Sequence, residues 1–204
     1  MSSAEKEQER TRKERAKKIK KLFWRFFVLV AVFAVGYGLV RWIAHHQTNL
    51  PGVGYPEVGR EHIALRDPNP RSYNSNPPTS GPHFSSPANW GAYDFEVRDE
   101  IFLHNLEHGG VWISYKPGVP QTVVDELKKI AEDMNTKIVL GPRSKNDTDI
   151  AVAAWTRLLK FNLVGGALSA SQKEDIKNFA ETFVNKGPEY IPDMGGGIDP
   201  KTVQ

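Results

Sequence analysis

Residues 100–116, EIFLHNLEHGGVWISYK, contain the pattern on which the predicted fold depends. The two ends, EIFL and GVWISYK, are rich in β-branched and aromatic residues, which favour strands. The polar segment between them, residues 104–109, ends at Gly109, and this residue and the adjacent Gly110 favour a bulge or a hairpin turn. We therefore expect two neighbouring strands that are joined by a turn around residues 104–110.

The segments after this hairpin alternate between helical and strand-like patterns. PQTVVDELKKIAEDMN has the apolar spacing of an amphipathic helix, with Gln121 or Thr122 near its start. KIVLGP is typical of a strand, and DIAVAAWTRLLKF is interpreted as one further strand. ASQKEDIKNFAETFVNKG predicts a last helix, capped by Ser169 or Ser171. The order β-β-α-β-β-α predicts an α+β fold, with a small, largely antiparallel sheet packed with two helices.

Residues 22–44, LFWRFFVLVAVFAVGYGLVRWIA, form an apolar stretch that only Arg25 and Arg41 interrupt. A helix of this length spans about 34 Å, which is enough for a hydrocarbon core of about 30 Å. We therefore predict one transmembrane helix. A cleaved signal peptide is the alternative, but this stretch is longer than the usual apolar region of a signal peptide. The following HHQTNLPG also has no small-x-small cleavage site.

The charge of the chain changes sign across this apolar stretch. Residues 1–21 carry nine Lys and Arg against four Glu, whereas residues 46–204 carry 16 basic and 20 acidic side chains. The positive-inside rule predicts that residues 1–21 form a basic cytoplasmic segment and that the C-terminal part lies outside the cytoplasmic membrane. Because the basic excess is confined to the first 41 residues, we expect no nucleic-acid partner.

The segment between Asn49 and Gly91 contains eight of the 14 prolines, a density that excludes long helices and central strands. It is also rich in aromatic residues, which disordered linkers usually lack, so we interpret it as an ordered loop wrapped on the domain. We divide the outer part into a linker at 45–58, an α+β domain at 59–192 and a flexible tail at 193–204.

Six histidines and no cysteine are present, which excludes disulfides, thiolate metal sites and cysteine nucleophiles. His45 and His46 follow the apolar stretch and are interpreted as interfacial polar residues. The other four histidines occur in the segments GREHI, NPPTSGPH and HNLEH, and they are His62, His83, His104 and His108. His83 ends a proline-rich segment whose fixed φ angles favour an imidazole held in one place.

Five segments of the chain, GREH, NPPTSGPH, WGAY, HNLEHGGVWISY and GPEYIP, resemble a family of membrane-anchored envelope proteins called domain of unknown function 3105. The resemblance covers about Gly59 to Pro192, and NPPTSGPH and H-x-L-E-H-G are its most specific segments. It implies a fold and a location in the cell envelope, but it implies no activity. The chemistry has to be argued from the residues.

The histidine segments favour a mononuclear transition-metal site, because neutral imidazoles are good ligands for copper and zinc. We expect His83, His104 and His108 to bind one copper or zinc ion. His62 is expected to be a fourth ligand or a neighbour of a ligand, and Met194 is a candidate soft ligand that would favour copper. Glu107 is expected to orient a ligand histidine through a hydrogen bond.

Two alternatives stay open. HNLEH matches the H-x-x-E-H pattern of a zinc peptidase. That pattern needs a helix, and the two glycines and the strand-like flanks argue against one. The other alternative is a non-catalytic envelope module that binds a partner protein and whose histidines are structural. The sequence leaves the metal, the partner and the oligomeric state open.

Overall fold

The computed structural model describes residues 3–48, 50–64, 67–191 and 195–203. The chain divides into two compact units, Met1–Leu50 and Pro51–Gln204. The first unit contains one helix, α1 (Ser3–Thr48), whose stretch Arg10–Ile43 is long and apolar enough to cross a membrane. A signal sequence near the N-terminus can meet the same criteria of length and composition. Residues 22–44, predicted to span the membrane, lie within this helix.

The second unit is an α+β domain. Its elements in chain order are β1 (Val53–Gly54), β2 (His62–Ile63), β3 (His83–Phe84), β4 (Gly91–Ala92), α2 (Asp99–Glu107), β5 (Val111–Tyr115), α3 (Gln121–Met134), β6 (Ile138–Pro142), β7 (Ile150–Ala154), β8 (Arg157–Phe161), α4 (Ala170–Phe183) and a 3-10 turn, Pro200–Thr202.

Six of the described strands form one sheet in the order β1-β8-β7-β5-β6-β4, while β2 and β3 form a separate parallel pair. The six-stranded sheet is mixed, because three of its pairings are antiparallel and two are parallel. Every residue of β5 and β7 is buried, so both faces of the central strands are covered. The prediction of an α+β fold is confirmed.

The segment EIFL is helical, so the predicted strand and the predicted hairpin turn were wrong. Helix α2 includes this segment, and every side chain from Ile101 to Glu107 is buried. A short helix that is buried on all sides has no polar face, and its sequence cannot be distinguished by periodicity from a buried strand. Gly109, with φ +75°, ends the helix in a left-handed conformation. Its N–H and that of Gly110 bond the carbonyls of the last helical turn, which is a Schellman motif.

The other predicted helices and strands agree with the structure except in the segment of β7 and β8. Helices α3 and α4 were both expected, and Ser169 caps α4 with a reciprocal hydrogen-bond pair to Gln172. DIAVAAWTRLLKF was predicted to be one strand, but it forms the hairpin of β7 and β8, in which Ala154 pairs with Arg157. The two residues between them, Trp155 and Thr156, lack the Asn-Gly or Asp-Gly signature of such a turn, which explains the error.

The proline-rich loop is ordered in its described part, as predicted. All residues from 77 to 83 are buried. The Ser80 hydroxyl accepts a hydrogen bond from the Val58 N–H (3.1 Å), and the Tyr73 hydroxyl donates to the Pro82 carbonyl (2.7 Å). Aromatic side chains of the same loop pack against the core that α2 shares with the sheet; they are Tyr55, Tyr73, Phe84 and Trp90.

The segments that flank the predicted domain also contact it. Strand β1, which lies within the predicted linker 45–58, pairs with β8 at one edge of the large sheet. In the predicted tail 193–204, Ile198 forms a bridge with Ala88, and Pro200 is buried. Residues 51–58 of the predicted linker and the described residues of the predicted tail therefore belong to the second compact unit, whereas residues 45–50 belong to the first.

Candidate metal centre

Two elements bring the candidate ligands together. Strands β2 and β3 pair in parallel with His62 opposite His83, so both imidazoles belong to one short ribbon. His104 and Glu107 lie three residues apart on α2, and this spacing places them on the same face of the helix. Helix α2 contacts β3, which joins the two pairs.

One ligand atom from each of these four residues lies within 4.8 Å of the ligand atom of every other. The Glu107 Oε2 is 2.9 Å from the His83 Nε2 and 3.7 Å from the His62 Nε2. A metal with bonds of about 2.0–2.1 Å to tetrahedral ligands would hold those ligands about 3.3 Å apart. The spacing of the cluster brackets this value, so the cluster of His62, His83, His104 and Glu107 can hold a metal ion.

Backbone carbonyls fix the tautomers of two of the histidines. The His83 Nδ1 is 2.8 Å from the Gly81 carbonyl, and the His104 Nδ1 is 2.6 Å from the Phe84 carbonyl. Because a carbonyl can only accept, each Nδ1 carries the proton and donates it. In the neutral ring the lone pair then lies on Nε2, which is the atom that faces the cluster. This orientation of a ligand histidine by an outer acceptor is typical of metal sites.

The contact between His83 and Glu107 requires a positive species. With the His83 Nδ1 donating to a carbonyl, a neutral ring would direct the lone pair of its Nε2 at a carboxylate oxygen 2.9 Å away. Two acceptors at that distance repel each other, so a proton or a metal cation has to lie between them. A second proton on the His83 ring or a bound metal cation would each satisfy this geometry.

The protonation states of His104 and Glu107 also make the cluster suitable for a cation. Burial lowers the pKa of His104 to about 4, against a partial opposing effect of its hydrogen bond to the Phe84 carbonyl, so this imidazole is neutral near pH 7. Burial would raise the pKa of Glu107, but the hydrogen bond from His83 and the neighbouring histidines together lower it, so Glu107 is an anion. A buried carboxylate among imidazoles is an environment that a cation stabilises.

His108 lies beside the cluster but is not one of its four residues. It follows the last residue of α2, and its Nε2 is 3.0 Å from the His104 Nε2 and 3.2 Å from the Glu189 Oε2. Burial lowers the pKa of His108, and the negative charges of Glu189 and Glu107 oppose this effect. The buried Lys137 donates to the His108 carbonyl and to the Ile191 carbonyl, which holds the segment of Glu189 close to the end of α2.

The remaining predicted site residues can be placed as follows. Glu107 was expected to orient a ligand, and its Oε2 lies among the candidate ligand atoms themselves. Met194 lies outside the described residues, and so do the side chains of His45 and His46. Sequence reasoning missed Glu189, whose position in the segment GPEYIP carries no signal of its contact with His108.

The H-x-x-E-H pattern has to be reconsidered, because His104 and Glu107 lie on a helix and the predicted turn was wrong. The pattern of a peptidase also needs a glutamate that faces a metal-bound water as a general base. Glu107 is buried, and its Oε2 lies 2.9 Å from the His83 Nε2. Its geometry fits a ligand or a ligand partner better than a base that is open to substrate.

Comparison with curated proteins and with solved structures found no match. A family model described as "Protein of unknown function (DUF3105)" matches residues 66–194. The matched range contains His83, His104 and Glu107, and it begins after His62. Because this range covers more than half of the chain, the protein belongs to that family, whose members have no assigned activity in the description.

Proposed function

We propose that this protein is a membrane-anchored metal-binding protein of the cell envelope, whose outer domain holds one divalent copper or zinc ion through His62, His83, His104 and Glu107. The observation that supports it most directly is the contact of 2.9 Å between the His83 Nε2 and the Glu107 Oε2. The Gly81 carbonyl fixes the tautomer of His83, so this contact needs a proton or a metal cation shared by two acceptors, and a metal ion is the occupant that we propose.

The donor set favours zinc(II) or copper(II). Three imidazoles suit both ions, and a carboxylate is a harder, anionic ligand that suits a divalent ion better than copper(I). Four protein ligands around one point form a closed site, whereas catalytic zinc sites commonly keep one position for water. The proposed role is therefore to bind, store or carry a metal ion.

The proposed location rests on α1 and on the distribution of charge. The positive-inside rule favours an uncleaved span with residues 1–21 in the cytoplasm and the domain outside. A reporter fused after Gln204 that is active only outside the cytoplasm is the expected result. A reporter that is active only inside, or a mature chain that begins after the apolar stretch, would contradict this topology.

Elemental analysis tests the metal site. The full chain, purified in detergent, would be incubated with zinc or copper(II), desalted and analysed for metal. We expect about one ion per chain, and we expect His83→Ala and His104→Ala to reduce this content severely, because each substitution removes a buried ligand. His46→Ala is the matched control and should change nothing.

The outcomes of this experiment also separate the alternatives. Wild-type protein that keeps no metal, or an equal metal content in the triple variant His83→Ala, His104→Ala, Glu107→Gln, would reject the proposal. The first of these results would favour the non-catalytic module, in which the histidines are structural and the domain binds a partner protein.

A further inference from the structure

We infer that His62 is the ligand through which the metal ion is exchanged with an acceptor, while His83, His104 and Glu107 retain the ion during the exchange. This inference rests on the proposed metal site and adds the side of the cluster on which the metal ion enters and leaves. It assigns different roles to the four residues of one cluster.

The four side chains differ sharply in exposure. His83 is 0% exposed, Glu107 is 2% exposed and His104 is 4% exposed. The side chain of His62, in contrast, is 47% exposed. A molecule that approaches from solvent can therefore reach the cluster on the side of His62, whereas the other three side chains form its inner wall.

The four residues also differ in how firmly they are held. His83 and His104 each donate a second hydrogen bond to a carbonyl, and Glu107 lies on a fully buried helical turn. For His62, no carbonyl acceptor of its ring occurs among the described residues. Its strand, β2, is only two residues long, and its one strand neighbour is β3. The ring of His62 can therefore leave the metal without the restraint that a hydrogen bond to a carbonyl imposes on His83 and His104.

The exchange step is a substitution of ligands. The bond between the metal and the His62 Nε2 breaks, and the ion keeps its bonds to His83, His104 and Glu107. The open position then faces solvent, as the fourth position does in zinc sites with three protein ligands. An imidazole or thioether of an acceptor binds there with its own electron pair, so no oxidant, reductant or proton is needed. The acceptor then removes the ion from the inner three ligands.

His108 and Glu189 offer a competing route, because they also lie between the cluster and solvent. Their contacts argue against it. The His108 Nε2 faces the His104 Nε2 and the Glu189 carboxylate, and Lys137 binds the His108 carbonyl, so this side is closed by a chain of polar contacts. The two routes make opposite predictions for substitutions at His62 and His108.

The rate of metal release tests the inference. The zinc-loaded full chain would be mixed with a colour-forming chelator over a range of chelator concentrations, and release would be followed by absorbance. We expect His62→Ala to retain about one zinc per chain after desalting and to release it at least about tenfold faster than the wild type. The rate for this variant should increase with chelator concentration, because the chelator attacks the open position.

His108→Ala is the matched control, and it should release zinc at nearly the wild-type rate. Release from His62→Ala at the wild-type rate, or acceleration in His108→Ala alone, would overturn the inference while leaving the metal site intact. Loss of zinc from His62→Ala on desalting, as complete as the loss from His83→Ala, would also overturn the inference. Wild-type protein that holds no zinc at all would instead reject the proposed function, and with it the inference. Because His62 is exposed, the variant should fold, which its thermal unfolding checks.

Discussion

Helix α2 and the proline-rich loop of residues 51–91 each supply two side chains to the cluster, but different forces hold them. The helix is buried on every side from Ile101 to Glu107, so apolar packing fixes its position. The described strands of the loop are two residues long, and hydrogen bonds from single side chains and backbone groups hold the loop. The cluster lies where α2 and the loop meet. Contacts that join α2 to the loop should therefore determine the positions of the candidate ligand atoms.

Arg143 links the two regions through polar contacts. Its guanidinium makes a bidentate ion pair with Asp99 at the start of α2, with both distances 2.8 Å, and its Nη1 donates to the Asn76 Oδ1 in the loop. Arg143 is buried, and Asp99 is largely buried. Arg143→Met should lower the free energy of unfolding by about 3 kcal/mol or more, because it leaves a largely buried carboxylate without its partner. Urea denaturation measures this loss.

Arg98→Met is the matched control, because Arg98 is exposed and its Nε lies 3.4 Å from the Glu100 Oε2. The loss of such a surface pair should cost less than about 1 kcal/mol. Arg143→Met should also weaken metal binding, although Arg143 is not a member of the cluster. Unchanged metal affinity in a destabilised Arg143→Met protein would mean that the loop and the helix are positioned independently.

The same contrast explains which parts of the fold could be predicted. Helices α3 and α4 are amphipathic, with Leu127 and Phe179 among their buried residues, so their apolar spacing is visible in the sequence. Helix α2 has no such pattern because its side chains are buried all round. Its remaining signals were Asp99 and Glu100 in the first turn and Gly109 after the end, and these are weaker than the apolar run that favoured a strand.

For the site, the sequence indicated the residue types but not all of their neighbours. His62, His83 and His104 were selected because they occur in distinctive segments, and the structure places all three in one cluster. The pairing of His62 with His83 depends on strands of two residues, which are too short to show any periodicity. The Gly81 and Phe84 carbonyls that orient two of the rings belong to the backbone, so no side-chain pattern could predict them.

Glu107 lies on α2 and contacts His83 in the proline-rich loop, so its substitution tests the contact between the helix and the loop. Glu107→Gln keeps the shape of the side chain but removes the charge that His83 faces. Loss of a residue that only orients a ligand would lower metal affinity about 10- to 100-fold, roughly 1.4–2.7 kcal/mol, and we expect at least this loss because Glu107 is proposed as a ligand. Competition with a chelator of known affinity measures this change, and Glu189→Gln should have a smaller effect because the Glu189 carboxylate contacts His108, which lies beside the cluster.

The same variant distinguishes a metal-binding protein from a peptidase. We expect the wild-type protein to cleave no peptide, so Glu107→Gln should leave a peptide library intact as well. Zinc-dependent cleavage by the wild type that is lost in Glu107→Gln, with zinc still bound, would establish Glu107 as a general base. That result would reject the interpretation of Glu107 as a residue that binds or orients a ligand.

Substitution of His108 tests whether this residue is a metal ligand. It was predicted from the sequence to be a ligand, and its Nε2 lies 3.0 Å from the His104 Nε2, yet it is not one of the four clustered residues. We now expect His108→Ala to lower zinc affinity less than about tenfold, well below the effect of His83→Ala. An equal effect of the two substitutions, measured by the same chelator competition, would restore His108 as a ligand and exclude Glu107 or His62 from that position.

The remaining prediction concerns the dependence of stability on pH in the metal-free protein. The pKa of His104 is lowered by burial to about 4, below the ordinary histidine value of about 6.5. Between these two values the unfolded chain binds a proton at this position and the folded chain does not. Stability should therefore decrease as the pH falls from about 6.5 to about 4, and be fully present above that range. The lowered pKa of His108 acts in the same direction.

His104→Gln keeps a donor for the Phe84 carbonyl but removes the titrating group, so its unfolding midpoint in urea should vary less with pH over this range. An identical pH dependence in the variant and the wild type would mean that His104 is protonated as readily in the folded protein as in the unfolded chain, and that the inner wall of the cluster is more open to water than its burial indicates.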